Sequence, residues 1–320
     1  MRPMGEHARG TVDYGCHEGV MPRYDHDMKR YLALLLLGYG AATLAGAAPI
    51  AQRSVELERA QIAYRERGQG RPVVFVHALL LDSRLWLDQL DGVCDTRRCL
   101  APDLSGHGYS SPSTQTKIDM QRYADELVAF LDATKVREAD FVGLSAGGNI
   151  AAIVCARQPQ RCRSLTLIST VLGSANLDAA GIRYRAENAR TVVIEGKDTL
   201  FRRFNEYIVA PEAPLIARAR YKTMLGQTPY ETLVAFLTTS DTPSTADLPP
   251  KLTMPVMIPV GQGDTVLTPA TARKIAATFP SGRVIELASA GRLLPLEAPA
   301  QLNDALRNFW LELDNGGKKP

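Results

Sequence analysis

From residue 54 onward the chain alternates between two kinds of hydrophobic pattern. Ser54–Glu66 reads as two alternating strands, VELER and QIAYRER. Pro72–His77 (PVVFVH) is a short, continuous apolar run, the pattern of a parallel strand buried on both faces. A helical stretch follows at Leu85–Val93, then a strand at Arg98–Pro102. Asp119–Thr134 places Tyr123, Leu127, Phe130 and Leu131 on one helical face. Ala139–Leu144 predicts another buried strand, Gly147–Arg157 a helix and Ser164–Ser169 a strand. Repeated strand–helix units imply a mostly parallel central sheet flanked by helices.

The rhythm breaks between residues 171 and 245. Helical patterns occupy Ile182–Gly196, Leu200–Ile208, Pro214–Met224 and Tyr230–Thr238, with no clear strand among them. Strand signals resume at Pro255–Val260 and Arg283–Leu287, and an amphipathic helix at Ala300–Leu313 closes the pattern. The organisation expected is a sheet core over 54–170 and 246–313, with 171–245 inserted as a helical cap. Within the cap, Arg183, Arg185 and Arg190 read as a solvated helix face.

Ahead of this core, residues 31–48 (YLALLLLGYGAATLAGAA) form the only long apolar run. Lys29 and Arg30 precede it and Ala45-Gly46-Ala47 closes it in an A-x-A pattern, the layout of a secretory signal peptide over 28–47. The alternative is a membrane anchor over 31–48. Residues 1–27 are polar and patternless and read as an extension upstream of Met28. Export predicts a periplasmic or secreted protein, where disulfides can form. Cys94 with Cys99, and Cys155 with Cys162, each flank a predicted helix end and the next strand; bridges and buried free thiols are both compatible with that spacing.

Composition narrows the function. The chain has 320 residues, 45% of them hydrophobic and 22% charged, which excludes a disordered chain. A net charge of +3 gives no electrostatic case for nucleic acid. Removing 1–47 takes away five basic and five acidic residues and leaves that charge unchanged. His7, His17, His26, His77 and His107 are the only histidines, and none stands at zinc-ligand spacing from another ligand. No metal or cofactor is therefore expected. All five lie in the first third of the chain.

The chemistry centres on Gly143-Leu144-Ser145-Ala146-Gly147, a G-x-S-x-G directly after a buried strand and directly before a helix. Such a sharp turn leaves no room for side chains at the flanking positions and lifts the serine hydroxyl above the sheet. The helix start offers free N–H groups to a developing oxyanion. Five segments make the chain from about 55 to 313 resemble the α/β-hydrolase family: VVFVHALLLDSRLW (73–86), APDLSGHGYSS (101–111), VGLSAGGNIA (142–151), PVGQGDTVLTP (259–269) and SAGRLLPLEAP (289–299). The similarity is to its small-cap branch of enol-lactonases, esterases and cofactor-free haloperoxidases.

That resemblance implies Ser145 as nucleophile, Asp264 as triad acid, and the backbone N–H groups of Leu79 and Ala146 as oxyanion hole. It also implies a small-molecule ester or lactone as partner, with no membrane role beyond the N-terminal segment. Asp103 is expected to brace its loop and Trp86 to pack helix against sheet. Two positions depart from the family pattern. Its His-Gly reads His77-Ala78 here, and its Gly-His before the terminal helix reads Gly291-Arg292. No histidine follows Ser145, so the order Ser…Asp…His is incomplete. Arginine has no lone pair to accept the serine proton, but it can pair with Asp264. By the family pattern His77 and His107 serve loop structure; the alternative is that one of them acts as base, which requires hydrogen-bond reach of Ser145. Two functions follow: a serine esterase or lactonase impaired at its base, or an inactive hydrolase-fold protein binding a small ligand, anionic ones included, or a partner.

Overall fold

The computed structural model describes residues 48–112, 119–172, 208–238, 245 and 247–316, with scattered positions between 187 and 203. The expected signal segment, the residues before it, and most of the first two cap helices lie outside the described residues.

Eight strands form one sheet: β1 (Ala51–Glu56), β2 (Gln61–Arg67), β3 (Arg71–Val76), β4 (Arg97–Pro102), β5 (Ala139–Leu144), β6 (Cys162–Ile168), β7 (Val256–Gly261) and β8 (Gly282–Leu287). Their spatial order is β1-β2-β4-β3-β5-β6-β7-β8. β1 and β2 form an antiparallel hairpin, β2 runs antiparallel to β4, and every later neighbour is parallel. The first strand lies earlier than the VELER reading placed it. Leu57 N–H bonds the Ala60 carbonyl at 2.8 Å, so residues 57–60 turn the hairpin instead of extending it.

The helices are α1 (Leu87–Val93), α2 (Met120–Ala133), α3 (Ala146–Arg157), α4 (Leu215–Gln227), α5 (Tyr230–Thr238), α6 (Pro269–Ala276), α7 (Leu294–Glu297) and α8 (Pro299–Asp314). A 3₁₀ turn at Ser83–Trp86 leads into α1. α4 and α5 fall between β6 and β7, in the segment read as a cap.

The apolar runs of the inner strands are explained by two cores, one on each face. Val74 and Val76 of β3 join Phe141, α2 and α3 on one side. Val73 and Phe75 join Val142, α1 and α8 on the other. Trp86 is fully buried with its ring 5.2 Å from Phe75, so it packs the helical layer against the sheet as expected. Both cysteine pairs are disulfide-bonded. Cys94–Cys99 ties the end of α1 to β4, and Cys155–Cys162 ties the last turn of α3 to the first residue of β6.

All site-bearing loops leave the sheet where parallel strands end: after β3, β5, β7 and β8. In an open α/β sheet that end is where ligands bind.

Candidate active site

One residue separates β5 from α3. Ser145 takes φ 53° and ψ −117°, a backbone region that costs a non-glycine residue about 1–3 kcal/mol. Several bonds hold it there. Its N–H donates to the Ile168 carbonyl at 2.9 Å, and its carbonyl accepts from the N–H groups of Gly148 (3.0 Å) and Asn149 (3.2 Å). Thr170 Oγ1 and Asn149 Nδ2 add bonds to the same carbonyl, each at 3.3 Å. The flanking glycines are needed for space. A Cβ on Gly143 would lie 2.5 Å from Gly148 Cα, and one on Gly147 would lie 2.2 Å from the Val76 carbonyl oxygen. The turn therefore brings the start of α3 against the end of β3, where the Leu79 loop begins.

Arg292 arrives from the loop after β8. Its Nη2 donates to Ser145 Oγ at 3.1 Å, and its Nη1 stands 3.6 Å from Asp264 Oδ1. Asp264 follows β7 and its side chain is fully buried. Its Oδ1 accepts the N–H groups of Val266 and Leu267, both at 2.9 Å. Ser145, Asp264 and Arg292 thus meet across more than a hundred residues of chain. Leu79, in the loop after β3, and Ala146, at the first position of α3 next to Ser145, are both buried.

The sequence reading missed the residue that seats Arg292. Glu297, nearly buried, accepts from Gly291 N–H at 2.8 Å and Leu293 N–H at 2.9 Å, the two neighbours of Arg292. It also accepts from Ala210 N–H at 3.2 Å, so one carboxylate ties the inserted segment to the Arg292 loop. Burial pushes the Glu297 carboxyl above its usual range, against the pull of those N–H bonds, and the charge of Asp264 adds to the rise. Ser169 Oγ bonds the Arg292 carbonyl at 2.9 Å and completes the support. Further bonds pin the inserted segment to the core, among them Thr228 Oγ1 to the Leu80 carbonyl, Thr232 Oγ1 to the Gly106 carbonyl, and Thr245 Oγ1 to Asn149 Oδ1.

The two described histidines have other occupations. Leu104 N–H donates to His77 Nε2 at 2.9 Å, which makes Nδ1 the protonated nitrogen; Nδ1 bonds the Ala78 carbonyl at 2.8 Å. His107 Nδ1 bonds the Ser105 carbonyl at 3.1 Å. Burial lowers the pKa of both, that of His107 to about 3 with the nearby His77 contributing. Both are neutral at ordinary pH, and neither bonds Ser145. Asp103 braces its loop, accepting from Ser83 N–H at 2.6 Å and Tyr109 N–H at 2.9 Å. Among the described residues no group of three His, Cys, Asp or Glu side chains is placed to hold a metal ion, and no helix is long and apolar enough to cross a membrane.

The family model for the alpha/beta hydrolase fold matches residues 71–299, from the first residue of β3 to the first of α8. The chain belongs to the α/β-hydrolase fold family. Curated relatives similar to this chain include a non-heme chloroperoxidase of Kitasatospora aureofaciens, 38% identical over 113 residues, or 35% of this chain and 41% of that protein. A 2-hydroxymuconate semialdehyde hydrolase of a Pseudomonas species is 31% identical over 37% of this chain and 45% of its own length. The chain thus spans less than half the length of these relatives. Among solved structures, a thermophilic esterase from Thermogutta terrifontis superposes with a TM-score of 0.73 at 24% identity, covering 83% of this chain and 99% of that one. An enol-lactonase from Burkholderia xenovorans gives 0.72 at 21% identity, covering 81% and 100%. At such identities these two likenesses speak for the fold alone.

Proposed function

We propose that this α/β-hydrolase carries an acyl site for a small carboxylic ester or lactone at Ser145, and that acyl transfer there is arrested because Arg292 stands where a base is required. The observation that carries the reading is the 3.1 Å contact from Arg292 Nη2 to Ser145 Oγ. A guanidinium presents donors only, so it cannot take the serine proton. In the intact reaction Ser145 would attack the carbonyl, and the N–H groups of Leu79 and Ala146 would receive the oxyanion. Asp264 would orient a histidine at 292. Loss of one triad member costs on the order of 10⁴–10⁶ in rate and leaves about 10³–10⁴ over water from the oxyanion hole and binding. The strained Ser145 backbone and its bonds to Ile168, Gly148 and Asn149 support the acyl-site reading. The substrate class is the one implied by the sequence resemblance to the small-cap branch of enol-lactonases and esterases.

Hydrolysis of p-nitrophenyl butyrate and of a γ-lactone by the wild-type protein and by Arg292→His tests this. The expected result is near-background turnover by the wild type and clear turnover by the variant, abolished by adding Ser145→Ala. Rapid wild-type turnover, or a folded Arg292→His that stays inert, overturns it. We further propose export directed by residues 28–47. The two disulfides agree with an oxidising compartment. N-terminal sequencing of the protein from fractionated cells checks this reading, and an uncleaved cytosolic chain overturns it.

A further inference from the structure

A serine that serves a histidine base donates its hydroxyl proton to the imidazole and keeps its lone pairs for the substrate. Around Ser145 that polarity is reversed. Arg292 Nη2 is the donor and Ser145 Oγ the acceptor, so the hydroxyl hydrogen is released to donate elsewhere. Arg292 Nη1 is buried without a hydrogen bond among the described residues; it is ion-paired at 3.6 Å with Asp264 Oδ1, which accepts two backbone N–H groups, and Asp264 Oδ2 is likewise buried without a hydrogen bond. α3 begins immediately after Ser145; the N–H groups of Gly148 and Asn149 already bond the Ser145 carbonyl, so the helix donors left to a ligand are those of Ala146 and Gly147. Apart from Asp264, the groups that meet at this point are donors, and one carries a full positive charge.

We propose that Ser145, Arg292 and the start of α3 form a receptor for a small monocarboxylate, the free acid corresponding to the acyl group an ester would present. The inference rests on the reading of Ser145 as an acyl site and names the ligand class that the altered site takes. The carboxylate carbon occupies the place of an ester carbonyl carbon. One oxygen accepts from the Ser145 hydroxyl and the helix N–H groups, and the other pairs with the guanidinium. A planar guanidinium matches a planar two-oxygen anion in this way better than a tetrahedral or spherical one.

Calorimetric titration of the folded protein with hexanoate and benzoate, each beside its neutral amide, tests the proposal. One molecule of acid per chain is expected to bind at least about tenfold tighter than its amide. Inorganic phosphate is expected to compete weakly. Arg292→Gln is expected to weaken hexanoate binding about 10- to 100-fold, the range of a charge-assisted pair. Should Arg292→Gln fold poorly, Arg292→Lys keeps the charge and loses the fork, and an intermediate loss is expected. Equal binding of acid and amide, full affinity in either variant, or phosphate binding as tightly as hexanoate overturns the receptor. The acyl-site reading fails separately. If the acids do not bind but Arg292→His hydrolyses esters, only the receptor is lost; if the wild type turns over esters rapidly, the arrested site is lost.

Discussion

Replacing Glu297 with glutamine preserves shape and removes charge at the point where the Arg292 loop and the inserted segment are tied together. Glu297 Oε2 accepts from Gly291 and Ala210 N–H, and Oε1 accepts from Leu293 N–H. A glutamine oxygen can keep the first two bonds, but its NH₂ group then faces the Leu293 donor. One lost bond and one buried unsatisfied donor cost about 1–3 kcal/mol, reduced by the relief of no longer burying a charge. Glu297→Ala orphans all three N–H groups and costs about 3–5 kcal/mol. Guanidinium denaturation at pH 7 measures both. The pH dependence carries a sign. The folded-state pKa is raised, so the folded chain keeps this proton at pH values where the unfolded chain has lost it. This group's contribution is therefore full below the ordinary carboxyl pKa and drains as pH rises through the folded value. Glu297→Gln removes that part of the slope. A glutamine variant within about 0.5 kcal/mol of wild type, with the slope unchanged, would refute the idea that this carboxylate holds the loop.

His107 ionises near pH 3 in the fold against 6.5 when free. Its contribution is complete above pH 6.5 and drains as pH falls toward about 3, so His107→Gln should flatten the fall of Tm across that window; an unchanged fall contradicts this. The bridges join cysteines 5 and 7 positions apart, and loop closure predicts about 2 kcal/mol of stability from each. Denaturation of Cys94→Ala/Cys99→Ala and Cys155→Ala/Cys162→Ala checks this, and no loss in either speaks against bridging. Gly147→Ala would set a methyl 2.2 Å from the Val76 carbonyl oxygen and 2.5 Å from that of His77, costing about 3 kcal/mol or more; a normal Tm would show that this packing is looser than described.

The parts of this fold legible in sequence are those encoded locally. The continuous apolar runs of β3 and β5 reflect burial on both faces, and G-x-S-x-G marks a turn in which Gly143 is dictated by contact with Gly148 a few residues on, although Gly147 answers to the Val76 and His77 carbonyls at the end of β3. α6 left a readable signal in Thr268, whose hydroxyl caps Thr271 N–H ahead of Pro269, but eight residues give too short a period to stand out. Glu297 was illegible because its partners belong to two loops, one of them 87 residues away. The contact of Arg292 with Ser145 spans 147 residues, and only the family resemblance aligned the two positions. Cysteine spacing left the bridges open because pairing depends on where α1 and α3 end relative to β4 and β6. The oxyanion roles proposed for Leu79 and Ala146 likewise rest on the resemblance, since backbone N–H groups carry no side-chain signature.

The most direct test of the missing base is the rate at which Ser145 reacts with a fluorophosphonate, followed by intact mass. Arg292→His should be labelled once per chain, at a rate that rises with pH through the imidazole range and vanishes in Arg292→His/Ser145→Ala. The wild type should react slower by about 10³-fold or more, with no such pH dependence. Prompt labelling of wild-type Ser145, at a rate comparable to the histidine variant, would mean that a base already serves this serine and would contradict the account.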